Sequence, residues 1–382
     1  MLLSQRCQER QSKMKSITMC AAITLFHCLA ASQGVGQIPE MVRIAGEARK
    51  LLEKESSGFS TKNSCVVWKD RTQHCKQGIE NFGVALAVKR SNEPMKVIFV
   101  DGKTCLSKTS GYVTDCYTRN GKTNGVNTEF TVEGGYKVYA IKRVIGSAGN
   151  FKEVVYTPYS DYLNTKEVRS YGMKYLDRLI ATAYEDLKRS DVRSLINSNA
   201  LVSERVPHDI IQQLIIVEHV DHGRFRSEEM VNLVKEVYAI IGLNQGIAYS
   251  YAKSSAKALG LLQVIPGTYA GLKRRYVSAG LLDDFVAGMT SHHNAVKTAI
   301  LLADHDVGVI KDSVIRAQLL ASKAKYRDYV ASAYNGGPAR AGMILIRGED
   351  HVLHNKNSEN KIYVEKIRKV AGMPQSVIIS TP

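Results

Sequence analysis

The hydrophobic pattern of this 382-residue chain changes period near residue 157, and that change restricts the fold to a β-rich part followed by a helical one. Before it, residues 37–57 place Ile38, Met41, Val42, Ile44, Ala45, Ala48, Leu51 and Leu52 at helical spacing, which predicts one amphipathic helix ending near Gly58. From 59 to about 157 the chain carries short strand-like runs, Val84–Val88, Val97–Val100 and Tyr136–Ala140, with turn chemistry at Asp101-Gly102, Asn120-Gly121 and Gly134-Gly135. Tyr156-Thr157-Pro158-Tyr159-Ser160 breaks that pattern and reads as a link. Helical spacing returns over 165–197, and from Pro207 onward almost every segment reads as helix or connecting loop. The expected class is α+β, mainly α at the C-terminus, preceded by a small β-rich domain. Its expected parts are 37–157, with the leading helix, a helical linker at 158–204, and a C-terminal domain at 205–378. Length alone already argues for two domains.

The N-terminus reads as an export signal, residues 1–32. Arg6, Arg10, Lys13 and Lys15 form a basic start, and Ile17–Ala31 is an apolar run of 15 residues, short for a bilayer span. Small residues Ala30, Ala31 and Ser32 follow, where cleavage is expected; an uncleaved anchor is the other reading. Cys7, Cys20 and Cys28 fall in this segment, which leaves Cys65, Cys75, Cys105 and Cys116. An even number in an oxidising compartment favours two disulfides; of the three possible pairings, Cys65 with Cys75 and Cys105 with Cys116 is the local one, and the other two stay open. A zinc site built from the four is the rival, weakened by the lack of a Cys-x-x-Cys spacing. The expected address is periplasmic or secreted.

The formal charge is +16, and loss of residues 1–32, with four basic residues and one acidic one, leaves +13. Such a field favours polyanions or anionic surfaces. The basic residues are scattered, so nucleic acid is not expected as a partner.

The chemistry is concentrated at the helical run Asp209–His219. Ile210, Ile211, Leu214, Ile215 and Val217 define an apolar face, and Glu218 lies on it, four residues after Leu214 and seven after Ile211. A carboxylate there is partly desolvated, which favours the neutral acid and suits a general acid near neutral pH. The plainer reading is a helix-end Glu paired with Arg224 or Arg226. Downstream stand Gly260-Leu261-Leu262-Gln263 with Pro266 and Thr268, then Ala333-Tyr334-Asn335-Gly336-Gly337-Pro338, then Glu359-Asn360-Lys361-Ile362-Tyr363-Val364.

In this order, over residues 210–370, the four segments resemble the motifs of the soluble lytic transglycosylases, whose catalytic domain is lysozyme-like. The resemblance implies cleavage of the N-acetylmuramic acid–N-acetylglucosamine bond of peptidoglycan glycan strands with a 1,6-anhydro product, Glu218 serving as the single acid and base. It implies that Tyr334 orients the acid, that Asn335 helps hold substrate or loop, and that Tyr363 lies near the carboxyl. Gly260 would let backbone approach the sugar, and Gln263, with Leu262 beside it, would offer a donor and an acceptor to the substrate. Two residues depart from the pattern: His219 follows the acid where Ser is usual, and Lys257 stands where Gly is usual. Between Glu218 and Gln263 lie 44 residues, roughly twice the compact family spacing, with an extra helix expected at Glu228–Ile241.

Ordinary glycosidases use two carboxylates, and Asp221, Glu228 and Glu229 keep a hydrolytic muramidase open as the alternative. A non-catalytic wall-binding or assembly protein is the other, motivated by His219 and Lys257. His219, His222, His292, His293 and His305 lack a third ligand at diagnostic spacing, so neither a metal nor another cofactor is expected. Cell-envelope or secretion-machinery proteins are the conceivable protein partners.

Overall fold

The computed structural model describes residues 37–67, 73–118, 128–147, 150–347 and 359–380. The expected export segment and the Asn120-Gly121 turn lie outside these residues. Among the described residues, eight strands form three antiparallel sheets. The largest has the order β4-β3-β7-β8, built from Lys96–Asp101, Gly83–Lys89, Lys137–Ser147 and Asn150–Tyr156. Strand β3, Gly-Val-Ala-Leu-Ala-Val-Lys, is buried through its first six residues, as a central strand covered on both faces must be.

Two hairpins accompany it. Strands β1 (Ser60–Val67) and β2 (Gln73–Asn81) set Cys65 directly opposite Cys75, and these two form a disulfide. Strands β5 (Thr114–Thr118) and β6 (Thr128–Val132) form the second, with Cys116 on β5 bonded to Cys105 in the preceding loop. The local pairing of the four cysteines is therefore the one observed. The periodicity does not reveal β1 and β2, because their exposed polar residues carry no alternating apolar face.

Ten helices of eight residues or more occur among the described residues. They are α1 (Glu40–Glu53), α2 (Lys166–Arg189), α3 (His208–Glu218), α4 (Met230–Asn244), α5 (Pro266–Arg275), α6 (His292–Gly308), α7 (Ser313–Leu320), α8 (Lys323–Gly336), α9 (Pro338–Arg347) and α10 (Glu359–Ala371). The side chain of Thr165 caps α2 by accepting from the Val168 amide, and the helix stops at Arg189, well before the expected 197. The expected inserted helix is α4, moved by two to three residues and preceded by a short turn of helix at His222–Ser227.

Helices α2 and α4 cross at backbone distance. A Cβ on Gly172 would lie 2.1 Å from the Tyr238 carbonyl oxygen, and one on Gly242 would lie 2.2 Å from that of Val168. Only glycine fits at either position.

From Met41 onward the chain packs as one compact unit. The Tyr156–Ser160 segment is a seam rather than an exposed link, since Tyr156, Thr157, Tyr159 and Ser160 are all buried. Asn244 closes it with both ends of its amide, accepting from the Thr157 amide at 2.8 Å and donating to the Thr157 carbonyl at 2.9 Å. Arg49 of α1 donates to the Thr157 hydroxyl and to the Leu243 carbonyl, each at 2.7 Å. The β-rich part is thus built into the helical part through buried polar groups that are satisfied by one another. Among the described residues, no helix is long and apolar enough to cross a membrane.

Candidate functional site

Helix α3 is buried along Ile210, Ile211, Leu214, Ile215, Ile216 and Val217, and it ends on Glu218. The apolar side of the helix anchors it, so the carboxyl at its C-terminus is held where the chain turns away. That position is electrostatically unfavourable for an anion, because the carbonyl end of a helix carries partial negative charge. Burial then raises the Glu218 pKa to about 7, against the opposing pull of a hydrogen bond from Tyr363 and the nearby Lys366 ammonium; Glu359 adds a small upward push. The Tyr363 hydroxyl donates to Glu218 Oε1 at 2.7 Å across 145 residues of sequence.

Helix α10 brings three of these groups on one face, Glu359, Tyr363 and Lys366, at spacings of four and three. Lys366 is fully buried. Its ammonium donates to the Val220 carbonyl and to His222 Nδ1, and burial lowers its pKa to about 8 although Glu218, Asp221 and Glu359 pull it upward. Lys366 lies outside the sequence motifs, and Glu359 opens the last of them without a role assigned to it. The signal that finds them is their helical spacing from Tyr363.

The other expected residues come from the C-terminal end of α8 and from the Gly260–Gln263 loop. Tyr334 and Tyr363 stack with ring centroids 6.4 Å apart, and the Tyr334 hydroxyl donates to the Leu262 carbonyl rather than to the acid. Asn360, buried beside Tyr363, exchanges hydrogen bonds with Ser332 of α8, which joins the Tyr334-Asn335 end of that helix to α10. His219 stacks on Tyr249, centroids 3.5 Å apart, and shares a 2.8 Å hydrogen bond with the Leu261 carbonyl. Burial depresses its pKa to about 3, so it is the neutral imidazole that donates to that oxygen. The residue after the acid therefore ties helix α3 to the Gly260–Gln263 loop.

Two expected roles change. Gly260 has φ +76° and packs against helix-flanking backbone, since a Cβ there would lie 2.0 Å from the Met289 carbonyl oxygen. The close approach it permits here is to the Met289 backbone. Leu262 is fully buried and serves through its carbonyl. Gln263 does face the cleft, but its amide nitrogen is committed to the Ala252 and Gly260 carbonyls, at 3.1 and 2.8 Å. Its donor shapes the loop.

Two cavities meet at Glu218. One, about 610 Å³, is bordered by Ser254, Gln263 and Ile265 on one side and by Tyr334, Asn335 and Pro338 on the other. The second, about 190 Å³, is polar and is bordered by Asp221, His222, Arg224, Glu236, Tyr363 and Lys366. Glu218, Asn335 and Glu359 border both. Much of the smaller wall comes from the segment inserted between Glu218 and Gln263.

The carboxylates considered as second catalytic groups are placed differently. Asp221 caps the His222–Ser227 turn by accepting from the Arg224 amide at 2.9 Å. Glu228 accepts from Arg224, which also binds Glu236 through two contacts of 2.8 and 2.7 Å. Glu229 precedes α4 and makes no side-chain cap. The Arg224 partner imagined for Glu218 is thus taken by Glu228 and Glu236.

The histidines are dispersed among separate hydrogen bonds. His292 bridges the Tyr175 hydroxyl and the Ala248 carbonyl, and His305 pairs with Asp306. Among the described residues, no group of three or more His, Cys, Asp or Glu is placed to hold a metal ion. No protein-family model matches this chain, and no curated protein or solved structure is significantly similar to it.

Proposed function

We propose that this protein is a lytic transglycosylase that cleaves the bond between N-acetylmuramic acid and N-acetylglucosamine in peptidoglycan, with Glu218 as acid and then base. The observation that carries the proposal is a half-buried carboxyl with its pKa near 7, held by Tyr363 at the junction of two cavities. A protonated carboxyl there can deliver its proton to the glycosidic oxygen as the C1–O bond breaks, while the muramic acetamido oxygen attacks C1. The carboxylate so formed takes the proton of the C6 hydroxyl as O6 bonds to C1 and the acetamido oxygen leaves. No water enters, and Glu218 returns to the acid form.

Backbone geometry supports the resemblance at a position where the residue departs from it. Lys257 stands where the family has glycine, and it holds φ +64°, a left-handed conformation that glycine adopts at least cost. The loop has kept a glycine's shape with a lysine in it.

Glu359 gives the hydrolytic alternative its best second carboxylate, because it borders both cavities with Glu218. Digestion of purified sacculi separates the two readings by product mass. Muropeptides lighter by one water than hydrolysed ones, absent with Glu218→Gln, establish the transglycosylase; water-added products lost with Glu359→Gln establish the muramidase. A protein that binds sacculi and releases nothing refutes both.

A further inference from the structure

The β-rich part carries a cavity of its own, about 350 Å³, at the low end of the range for small-ligand sites. Strands β3 and β7 and the start of the loop leading into the catalytic cleft enclose it. Its aromatic wall is Phe59, Phe82 and Tyr251, and Arg143 supplies a cation. Phe59 is fixed against Phe151 with centroids 5.5 Å apart, whereas Phe82 is 44% exposed.

Arg143 is the informative residue. Its Nη1 donates to the Thr128 hydroxyl at 3.4 Å, and its guanidinium lies within hydrogen-bonding reach of the Tyr156 hydroxyl. Tyr156 is fully buried and packs on Tyr251 at 5.2 Å. The Nε of Arg143 is buried without a hydrogen-bond partner. The described residues thus supply this guanidinium with hydroxyls rather than a carboxylate, and Arg143 borders the aromatic cavity. A planar fork of this kind matches a carboxylate through two parallel hydrogen bonds.

The location adds a second argument. Tyr251 and Lys253 border this cavity, and Ser254, Ala256 and Ala258 of the same loop border the larger cleft beside Glu218. Lys253 and Ala256 are three residues apart, which limits their separation to about 11 Å even in a fully extended chain. A polymer lying in the cleft is therefore flanked by the same loop that borders this cavity.

We propose that this cavity is a second binding site, which takes a carboxylate-bearing peptide branch of the polymer cut at Glu218, with Arg143 on the carboxylate and Phe82 against the apolar part of the peptide. The choice of polymer rests on the transglycosylase reading; the cavity's preference for a carboxylate does not. A phosphate would satisfy the same cation but leave the aromatic wall unused.

The test is calorimetric titration of the full chain carrying Glu218→Gln, so that no turnover intervenes. The two probes are the soluble stem tetrapeptide of peptidoglycan and glycan strands stripped of peptide by an amidase. The expected result is tetrapeptide binding that weakens about tenfold with Arg143→Gln and measurably with Phe82→Ala, while both variants bind stripped glycan like their parent. Phe82→Ala removes an exposed ring, so it remains readable if Arg143→Gln folds poorly. Tetrapeptide binding unchanged in both variants overturns the proposal, as does equal weakening toward stripped glycan, or displacement by inorganic phosphate at concentrations where the tetrapeptide itself competes. Because binding is read without cleavage, failure of the lytic reading shows in the digestion and leaves this result standing.

Discussion

Tyr363→Phe removes one oxygen and gives a signed prediction. The hydroxyl donates to Glu218 Oε1 at 2.7 Å and favours the charged carboxylate, so its loss must raise the Glu218 pKa from about 7. A hydrogen bond to a charged group contributes about 1.5–3 kcal/mol, and one pKa unit corresponds to about 1.4 kcal/mol, which sets a ceiling of roughly 1–2 units. Water entering from the adjoining cavity will replace part of that bond, so a rise of about one unit is expected. For a group that acts as an acid, the alkaline limb of the rate profile then moves from near pH 7 to near pH 8. Initial rates of turbidity loss in a sacculus suspension, taken from pH 5 to 9, measure the limb directly. Tyr334→Phe is the control, because its hydroxyl goes to the Leu262 carbonyl and its loss should leave the limb in place. A limb in Tyr363→Phe that stays at pH 7 or moves to lower pH refutes Glu218 as the titrating acid.

The same carboxyl predicts a stability that depends on pH. Its folded pKa is raised from 4.5 to about 7, so the stability it contributes is complete below pH 4.5 and is lost as pH rises through 7. The full loss is at most about 3 kcal/mol, and the Lys366 ammonium, which loses the favourable Glu218 charge in the variant, offsets part of the gain from removing it. Glu218→Gln should therefore melt above the parent at pH 8 by about 1–2 kcal/mol, with the gap closing toward pH 4.5; a gap that is absent or grows on acidification contradicts this. Two changes in the cleft loop should act in opposite directions. Gly260→Ala meets both φ +76° and the Met289 carbonyl and should cost at least about 2 kcal/mol, while Lys257→Gly relieves a left-handed lysine and should be neutral or stabilising by up to about 1 kcal/mol. Denaturant midpoints check both, and a destabilised Lys257→Gly would show that the lysine side chain makes a contact that outweighs its backbone strain.

The parts of this fold legible in the sequence are those written in local pattern. Helix α3 and its terminal Glu218 follow from apolar spacing, the strands β3 and β4 from continuous apolar runs, and the disulfide pairing from cysteines ten and eleven residues apart. The motif residues Glu218, Tyr334, Asn335, Gln263 and Tyr363 do border the two cavities that meet at the acid. What the pattern hides is settled across long separations. Strands β1 and β2 are polar and become a hairpin through their partner and a disulfide, and the Tyr156–Ser160 segment looks like a link until Asn244 and Arg49 close over it.

The insertion is the most instructive of the hidden parts. Read alone it is a spacer with one extra helix, able to reshape the cleft or narrow substrate choice but not to remove the acid. In three dimensions Tyr249 stacks on His219, and Tyr249, Ile240 and the Arg224–Glu236 pair border the small cavity behind Glu218. Burial is the largest influence on the Glu218 pKa, and these groups contribute to that burial. The motifs thus supply the acid and the hydroxyl that holds it, while unmarked residues up to 31 positions downstream help keep it protonated near neutrality. A substitution in the insertion that admits water, such as Ile240→Ser, should lower the Glu218 pKa and bring the alkaline limb below pH 7, opposite in sign to Tyr363→Phe although neither changes the acid itself.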